Sequence, residues 1–396
     1  MRSLLALSAL LSLSACVVVD DGPEGVIACS PEADVTYPDL GDGVDYVLEE
    51  GCDSWEIWDG SVTLEPGVTV EIPDGATVFI GFDGALIAAG TEELPVVLQG
   101  TNPDRPTWKG IQNDAPSSLT EFSHAVIDGA GDGAMIYFDD AASLVLWGDS
   151  DGAYQNLEIR NGGGIGLGIY GHADRNPGEF GPGLAFSGLE GASIVTEGHF
   201  VSGIDFDGYA ATEVGSPGVE VYISNSNKDL EGEHDWSDIP VPLVFQSSVV
   251  AKSALSVGPG MELRFPENTG LSTADYGDTT GSLALNGTQD APILLRGVLD
   301  VAGAWSGVCI STSTPSNHFE NVEIRNGGDA PWTWEERGAN LTLGYGKASL
   351  SAENVLIAGS ADVGVLLDDD LGEVSFTPVN VTYADNAGGD LLDARD

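Results

Sequence analysis

Apolar residues alternate with other residues in short runs along most of this chain. In the stretch 61–111 the runs are Val62 and Leu64; Val68, Val70 and Ile72; and Val78, Ile80 and Phe82. A period of two places such side chains on one face of a β-strand. Each run stops after a few residues at a turn-forming pair such as Pro66-Gly67 or Asp83-Gly84,. The pattern therefore predicts many very short strands joined by glycine-containing corners.

The same pattern returns about half the chain later. The matched positions are Pro66 and Pro259, Gly90 and Gly287, Trp108 and Trp305, Phe122 and Phe319, and Asn156 and Asn354. The glycine, tryptophan and phenylalanine pairs share one offset in residue number, and the other two pairs depart from it by only a few positions. Anchors with so nearly constant a spacing indicate an internal duplication.

Spacing and corner chemistry predict how the strands are arranged. The interval from Val62 to Ala85 has room for three short strands. Apolar runs followed by Asn or Asp and then Gly recur, as at 126–129, 157–162 and 322–327. Asn and Gly tolerate the left-handed backbone conformation that a tight corner needs. These features predict parallel strands stacked coil upon coil, and a β-sandwich is the alternative all-β arrangement.

Three segments carry a resemblance to a known fold. LEPGVTVEI at 64–72, GTEELPVVLQG at 90–100 and PTWKGI at 106–111 resemble elements of the right-handed parallel β-helix repeat proteins of bacteria. The resemblance extends over about 60–390 and implies an all-β, right-handed parallel β-helix. It implies no single function, because this fold carries lyases, hydrolases and adhesins.

The N-terminal residues have the features of an export signal. Arg2 precedes a short apolar stretch, 4–13, which is too short to span a membrane,. Leu13-Ser14-Ala15-Cys16 resembles the lipobox of bacterial lipoproteins, which implies removal of 1–15 and lipidation of Cys16. Val17 follows instead of an Asp, so we expect an outer-membrane lipoprotein that faces the periplasm or the cell surface. An ordinary signal with a coincidental cysteine is the alternative.

Composition divides the remaining chain into regions. We predict an acidic flexible tether at 16–45, an N-terminal cap at 46–60, and β-helix halves at 61–235 and 236–396,. An exported chain meets oxidising conditions, so Cys29 and Cys52 are expected to form a disulfide. Cys309 lies in an apolar strand and is expected to be a buried thiol,.

The formal net charge is −50, from 63 acidic and 13 basic residues. So few cations exclude nucleic acid as a partner, because phosphate binding requires many Lys and Arg side chains. The charge favours solubility, a saline habitat or cation binding. Acidic clusters such as Asp368, Asp369 and Asp370 could begin a calcium site, although no EF-hand or calcium-binding nonapeptide spacing is present,. A solvated charged surface explains them more simply, so no dedicated metal or cofactor is expected.

Two groups are candidates for catalysis. Asp205 and Asp207 in GIDFDG would share one strand face, and paired carboxylates are what glycoside hydrolysis needs,. His172, with Asp174 and Arg175 nearby, follows Gly171 in a pair that resembles the Gly-His-Gly of polygalacturonases. The second glycine is replaced by alanine at position 173, and no Arg-Ile-Lys follows.

Trp332 and Trp334 lie in a loop that is an insertion relative to the first copy. Two Trp side chains in a loop can stack on sugars or anchor a protein partner, or they can fold back over the edge of a coil. Together these features predict a lipid-anchored envelope protein with a non-catalytic binding, adhesion or structural role, whose partners are the membrane and a glycan or surface protein. The alternative is a polysaccharide-active hydrolase or lyase that uses a groove of the β-helix.

Overall fold

The structure, a computed structural model, has nearly all of its regular secondary structure in parallel strands. It describes residues 25–31, 34–41, 43–102, 105–117, 119–135, 139–148, 150–171, 178–212, 220–224, 229–273, 280–332, 337–368 and 373–395. Every pairing between the named strands of this part is parallel, and one short 3₁₀ helix spans Gly198–Gly203. The predicted all-β parallel β-helix is therefore confirmed, and the β-sandwich alternative is wrong.

The strands are numbered in chain order. The first seventeen are β1 Val26–Ile27, β2 Val35–Tyr37, β3 Tyr46–Leu48, β4 Ser54–Leu64, β5 Thr69–Ile72, β6 Thr77–Ala89, β7 Val96–Gly100, β8 Gly110–Asn113, β9 Glu121–Asp128, β10 Ala142–Trp147, β11 Ala153–Arg160, β12 Ile165–Tyr170, β13 Glu179–Phe180, β14 Ala185–Ser187, β15 Ile194–Thr196, β16 Ala210–Thr212 and β17 Val221–Ile223. The others are β18 Asp229–Leu230, β19 His234–Trp236, β20 Leu243–Phe245, β21 Val249–Ala251, β22 Ala254–Val257, β23 Glu262–Phe265, β24 Gly270–Ser272, β25 Ser282–Asn286, β26 Ile293–Gly297, β27 Gly307–Ile310, β28 His318–Arg325, β29 Ala339–Leu343, β30 Ala348–Ala358, β31 Val363–Leu367, β32 Val374–Val379, β33 Thr382–Ala384 and β34 Gly389–Asp393.

One ladder of strands runs through both copies, and we call it the long ladder. It joins, in order, the first halves of β4 and β6, then β8, β10, β12, β15, β17, β20, β23 and β26, the second halves of β28 and β30, and finally β33. Its inward side chains form a buried column of Val78, Ile111, Leu144, Leu167, Ile194, Val221, Leu243, Leu263, Leu295, Ile324 and Ile357. This column forms part of the core. Burial of each of its apolar side chains stabilises the fold by roughly 1.5–3 kcal/mol.

The two copies have matching local geometry. The indole Nε1 of Trp108 donates to the carbonyl oxygen of Asp128 at 2.9 Å, and that of Trp305 donates to the carbonyl oxygen of Arg325 at 2.7 Å. Both tryptophans are fully buried. Because the two acceptors are related by the same offset as the two tryptophans, the duplication is preserved in the hydrogen bonding as well as in the sequence.

The copies are nevertheless offset by one strand position around the coil. In the first copy the long ladder contains β8, which follows Trp108. In the second copy it contains β26, which precedes Trp305, whereas β27, the counterpart of β8, belongs to a separate seven-stranded sheet. Pairing of β17 with β20 carries the ladder across the junction between the copies. The stack is therefore continuous, but equivalent residues of the two copies belong to different ladders.

Left-handed residues bend the long strands β9, β11, β28 and β30. The bends lie at His124, Asn156, Asn321 and Asn354, with φ between 47° and 54°. His124 and Asn321 are equivalent in the two copies, as are Asn156 and Asn354. Asparagine suits these positions because it tolerates positive φ better than most residues that have a Cβ.

The β-helix extends closer to the N-terminus than the sequence predicted. Part of the expected tether, 16–45, instead forms β1 and β2, which pair with β3 and β4. The buried Asp45 carboxylate accepts the backbone N–H groups of Leu40 and Thr69, each at 2.7 Å. The described residues 25–60 are thus the first coils rather than a tether and a separate cap. The sequence did not predict these strands for two reasons. They lie in an acidic segment, and β1 and β2 have only two and three residues, too few to show alternation.

A disulfide joins Cys29 and Cys52, whose Cα atoms are 5.5 Å apart. It connects the segment after β1 to the segment just before β4. Because it closes a short loop, it contributes roughly 3 kcal/mol on the loop-entropy model. Cys309 in β27 is buried and unpaired.

Candidate functional site

The outer surface of the long ladder changes chemistry along the molecule. Its central outward row reads, from the N-terminal end, Phe79, Gln112, Val145, Gly168, Val195, Tyr222, Val244, Arg264, Arg296 and Arg325. The row is mainly apolar or aromatic in the first copy and cationic in the second. Two candidate sites therefore lie on one continuous sheet surface.

Trp58 lies against the sheet at the N-terminal end of this surface. Its ring occupies the space above Gly81, where a Cβ would collide with it, and packs against Phe79 at a centroid distance of 4.8 Å. Its Nε1 donates to Oε2 of Glu56 at 2.8 Å. The side chain remains 39% exposed, so one part of the ring is fixed and another part faces solvent.

Trp147 and Tyr170 form a second aromatic pair further along. They are register partners on β10 and β12, and their ring centroids are 5.9 Å apart. The Tyr170 ring covers Gly168, which leaves no room for a Cβ there. Trp147 is 49% exposed. Burial is the main reason that the pKa of Tyr170 is raised, and the charges of Asp140 and Glu197 raise it further.

A polar pair lies between the two aromatic groups. Gln112 donates from Nε2 to both carboxylate oxygens of Asp114, at 3.2 and 3.1 Å. The Asp114 N–H bonds to the carbonyl oxygen of Ile80, which places Asp114 one strand beyond Gly81. Burial raises the pKa of Asp114, and the hydrogen bond from Gln112 partly opposes this shift. We call Trp58, Asp114, Trp147 and Tyr170 the aromatic strip.

The sequence alone did not single out this strip. Trp58 falls in the segment predicted as a cap, and Trp147 ends a short continuous apolar run, 144–147. The sequence does not show how one coil is aligned with the next. The contacts of Trp58 with Gly81 and Phe79 depend on the register between β4 and β6. A tryptophan followed one coil later by a strand glycine, as Trp58 is by Gly81, is the signal that could have indicated it.

Three arginines are stacked in register on β23, β26 and β28, and we call Arg264, Arg296 and Arg325 the arginine row. Glu262 accepts from Arg264 at 2.9 Å and from Arg296 at 2.6 Å. Arg264 also pairs with Glu220, and Arg325 pairs with Glu323 at 2.8 Å. Each arginine therefore has a carboxylate partner, and the row is a network of ion pairs rather than a free cationic surface.

The glutamate at the centre of this network has a shifted pKa. Burial alone would raise the pKa of Glu262, but hydrogen bonds and charges from Arg264 and Arg296 outweigh this effect and lower it. The pKa of Arg264 is raised, chiefly by its hydrogen bond to Glu262. Both shifts favour the charged forms, so the pair remains ionised around neutral pH.

A shallow groove of about 300 Å³ lies near the C-terminal end of the long ladder. Its lining includes the stacked Asn321, Asn354 and Asn380. The Asn380 amide donates to Oδ1 of Asn354 at 3.1 Å, and the Asn321 amide donates to the carbonyl oxygen of Gly287 at 3.1 Å. These amides therefore stabilise the bends between coils, which accounts for their presence without a ligand.

The structure places the two predicted catalytic carboxylates, Asp205 and Asp207, outside any strand. Asp205 and Asp207 are exposed and lie in and just before a turn, where Oδ1 of Asp205 accepts the Asp207 N–H at 2.9 Å. The prediction that they share a strand face is wrong, since alternation over so few residues does not distinguish a strand from such a turn. His172, Asp174 and Arg175 lie outside the described residues.

Of the predicted binding tryptophans, the structure describes Trp332. Its Nε1 donates to the carbonyl oxygen of Ser306 at 3.0 Å, and its ring lies against Gly270. Trp332 thus packs on the body of the coil and is only partly exposed. Trp334 lies outside the described residues.

The acidic and cysteine groups offer little for a metal. Asp368 is buried at the end of β31, and the other two members of its cluster, Asp369 and Asp370, lie outside the described residues. Cys29, Glu49 and Cys52 bring their side chains within 4.8 Å of one another, but disulfide sulfurs cannot supply the thiolate that a metal requires,. Burial, followed by the charge of Asp368, raises the pKa of Cys309 to about 12, so it is a protonated thiol,.

No helix in the described part of the chain is long and apolar enough to cross a membrane. Cys16, the predicted lipidation site, lies outside that part. Comparisons of the chain with protein-family models, with curated proteins and with solved structures find no match.

Proposed function

We propose that this protein is an outer-membrane lipoprotein whose parallel β-helix has a non-catalytic binding, adhesion or structural role in the cell envelope. The apolar stretch 4–13 and the lipobox-like residues ending at Cys16 support the anchor,. The body then faces the periplasm or the cell surface. The partners are the membrane, through the lipid, and a glycan or a surface protein.

The aromatic strip is the observation that carries the binding role. Trp58 and Trp147 expose part of their rings while the sheet fixes the remainder. Exposed aromatic rings on a rigid support favour binding, because little side-chain freedom is lost when a ligand stacks on them. The ion-paired arginine row and the asparagines that bond the bends between coils do not offer comparable groups.

A polysaccharide-active enzyme is the second candidate, and the exposure of both Asp205 and Asp207 favours it. Such an enzyme needs one carboxyl as acid and another as base or nucleophile on opposite sides of a glycosidic bond. In this structure, however, both lie at one turn, and the Asp205 carboxylate accepts the backbone N–H of Asp207. Binding without turnover is therefore the better-supported function.

Affinity electrophoresis of the purified chain through neutral and acidic polysaccharides, combined with assays for new reducing ends and unsaturated products, tests this choice. We expect retardation by at least one polysaccharide and no product from any. Product formation that is lost in both Asp205→Asn and Asp207→Asn would establish the enzyme instead.

The anchor is tested by fractionating cells that carry the wild type or Cys16→Ser. We expect the wild type to incorporate radiolabelled palmitate and sediment with the outer membrane. Cys16→Ser should remain unlabelled and soluble. An unlabelled wild type would overturn the lipoprotein assignment.

A further inference from the structure

We propose that the aromatic strip is the binding site for an extended, uncharged glycan chain that lies along the axis of the β-helix. The inference rests on the proposed non-catalytic binding role and names the site and the class of its ligand. Its basis is the order of groups along the strip: an exposed indole, a carboxylate–amide pair, and a second exposed indole backed by a tyrosine.

The rings of the strip are held against the sheet, and its two tryptophans remain partly exposed. Glycines beneath Trp58 and Tyr170 allow both rings to lie against the sheet rather than project from it. Trp58 is further held by its hydrogen bond to Glu56 and by the buried Phe79. The apolar face of a sugar ring can stack on such a surface, while the sugar hydroxyls remain free for polar contacts.

Spacing favours a chain over a single small ligand. Trp58 lies on β4 and Trp147 lies on β10, three strands further along the long ladder. Because neighbouring strands are about 4.8 Å apart, the backbone positions of the two tryptophans are about 14 Å apart along the ladder. The Asp114 carboxylate, held by the buried Gln112, occupies the interval and accepts hydrogen bonds from hydroxyls between the two stacking positions.

Charge selects the class of glycan. The ionisable groups along the strip include the carboxyls of Glu56 and Asp114, with Asp140 and Glu197 close to Tyr170, in a chain of net charge −50. A uronate or sulfated polymer would be repelled by them. A protein partner fits less well, because stable protein interfaces cover roughly 800 Å² per partner and deplete acidic residues at their centres. The strip is instead narrow and alternates rings with acid.

The test measures binding of hexasaccharides by calorimetry to the purified full chain. The uncharged probes are the β-1,4-glucose, β-1,4-xylose, α-1,4-glucose and N-acetylglucosamine hexamers; the charged probes are the galacturonate and free glucosamine hexamers. We expect at least one uncharged probe to bind more tightly than the galacturonate hexamer, which the carboxylates repel. Tighter binding of the galacturonate hexamer, or binding of none, would overturn the inference, and tightest binding by the glucosamine hexamer, which the carboxylates attract, would overturn the assignment of an uncharged ligand.

Variants locate the site. Trp58→Ala and Trp147→Ala are each expected to weaken binding about 3- to 10-fold, the loss of one aromatic contact. Trp332→Ala is the matched control and should leave affinity unchanged. Because Trp147 projects furthest into solvent, its variant is expected to fold, and equal melting temperatures check this.

The outcomes separate this inference from the broader proposal. If an uncharged hexamer binds and only Trp332→Ala weakens it, the strip is not the site, while a non-catalytic binding protein remains. If products form in the turnover assay, the binding role itself fails.

Discussion

Glu262 shows how a single carboxylate allows arginines to stack. Arg264 and Arg296 lie on adjacent strands, about 4.8 Å apart, where like charges repel. Glu262 bonds to both of them, and Arg264 forms a second ion pair with Glu220. Three of the 13 basic residues of the chain are used in this row, so the sheet concentrates cations where carboxylates compensate them.

Glu262→Gln is expected to lower the free energy of unfolding at pH 7 by less than about 1 kcal/mol, because solvent screens this partly exposed network. The folded pKa lies below the usual value of 4.5. The stabilisation is therefore complete above pH 4.5 and is lost as the pH falls through the lowered folded value. Urea unfolding at several pH values should show the wild type and variant converging in acid. Glu353→Gln, an exposed glutamate on β30, is the control, and a gap that persists at low pH would contradict the prediction.

Cys309 is expected to resist thiol reagents in the folded protein. Burial raises its pKa to about 12, so almost no thiolate exists at pH 8,. In a Cys16→Ser variant it is the one thiol left beside the disulfide. A chromogenic disulfide reagent should label it only after denaturant is added. Rapid labelling without denaturant would show that β27 opens readily.

At the scale of elements, bends rather than strand interiors determine where each coil turns. Asn156 and Asn354 hold left-handed backbone in the middle of β11 and β30. A residue with a Cβ and no compensating side-chain bond is strained there, whereas glycine is not.

Asn354→Ala is expected to destabilise the protein by about 1–2 kcal/mol, from left-handed strain and the lost bond to Asn380,. Asn354→Gly removes the same bond but relieves the strain, so it should cost less. Chemical unfolding of the two variants provides the comparison. Equal losses would mean that the amide contact, and not the backbone conformation, dominates.

Sequence reasoning recovered the elements but not their alignment. Alternation and the Asn-Gly corners predicted the strands, and the Trp108 and Trp305 match predicted the duplication. The aromatic strip depends on register between coils, and coil length varies. The coil that separates Phe79 from its partner on β8 is much longer than the coil that separates Val145 from its partner on β12. A variable coil length leaves register undetermined until strands are paired.

For the whole molecule, each coil contacts mainly its neighbours, so stability is distributed along the axis. The sequence placed the start of the β-helix too far along because the first strands are short and lie in acidic surroundings. The disulfide between Cys29 and Cys52 provides the stability that these small coils do not obtain from a large core,.

Replacing both cysteines by serine should loosen the N-terminal coils, with a local cost of roughly 3 kcal/mol. Hydrogen exchange should quicken within 25–60 and stay unchanged within 280–332, because distant coils are not neighbours. The matched comparison is Cys309→Ser, which should affect the region around β27 instead. Uniform acceleration along the chain would indicate a single cooperative unit.

The offset of one strand position between the copies has a consequence for valency. Duplicating a binding surface ordinarily yields two identical sites that one long ligand can engage together. Here the second copy displays its equivalent residues in a different direction around the axis, so a straight polymer cannot span both. Each copy can therefore carry its own surface chemistry, aromatic in the first and ion-paired in the second, because no single ligand has to bind equivalent residues of both.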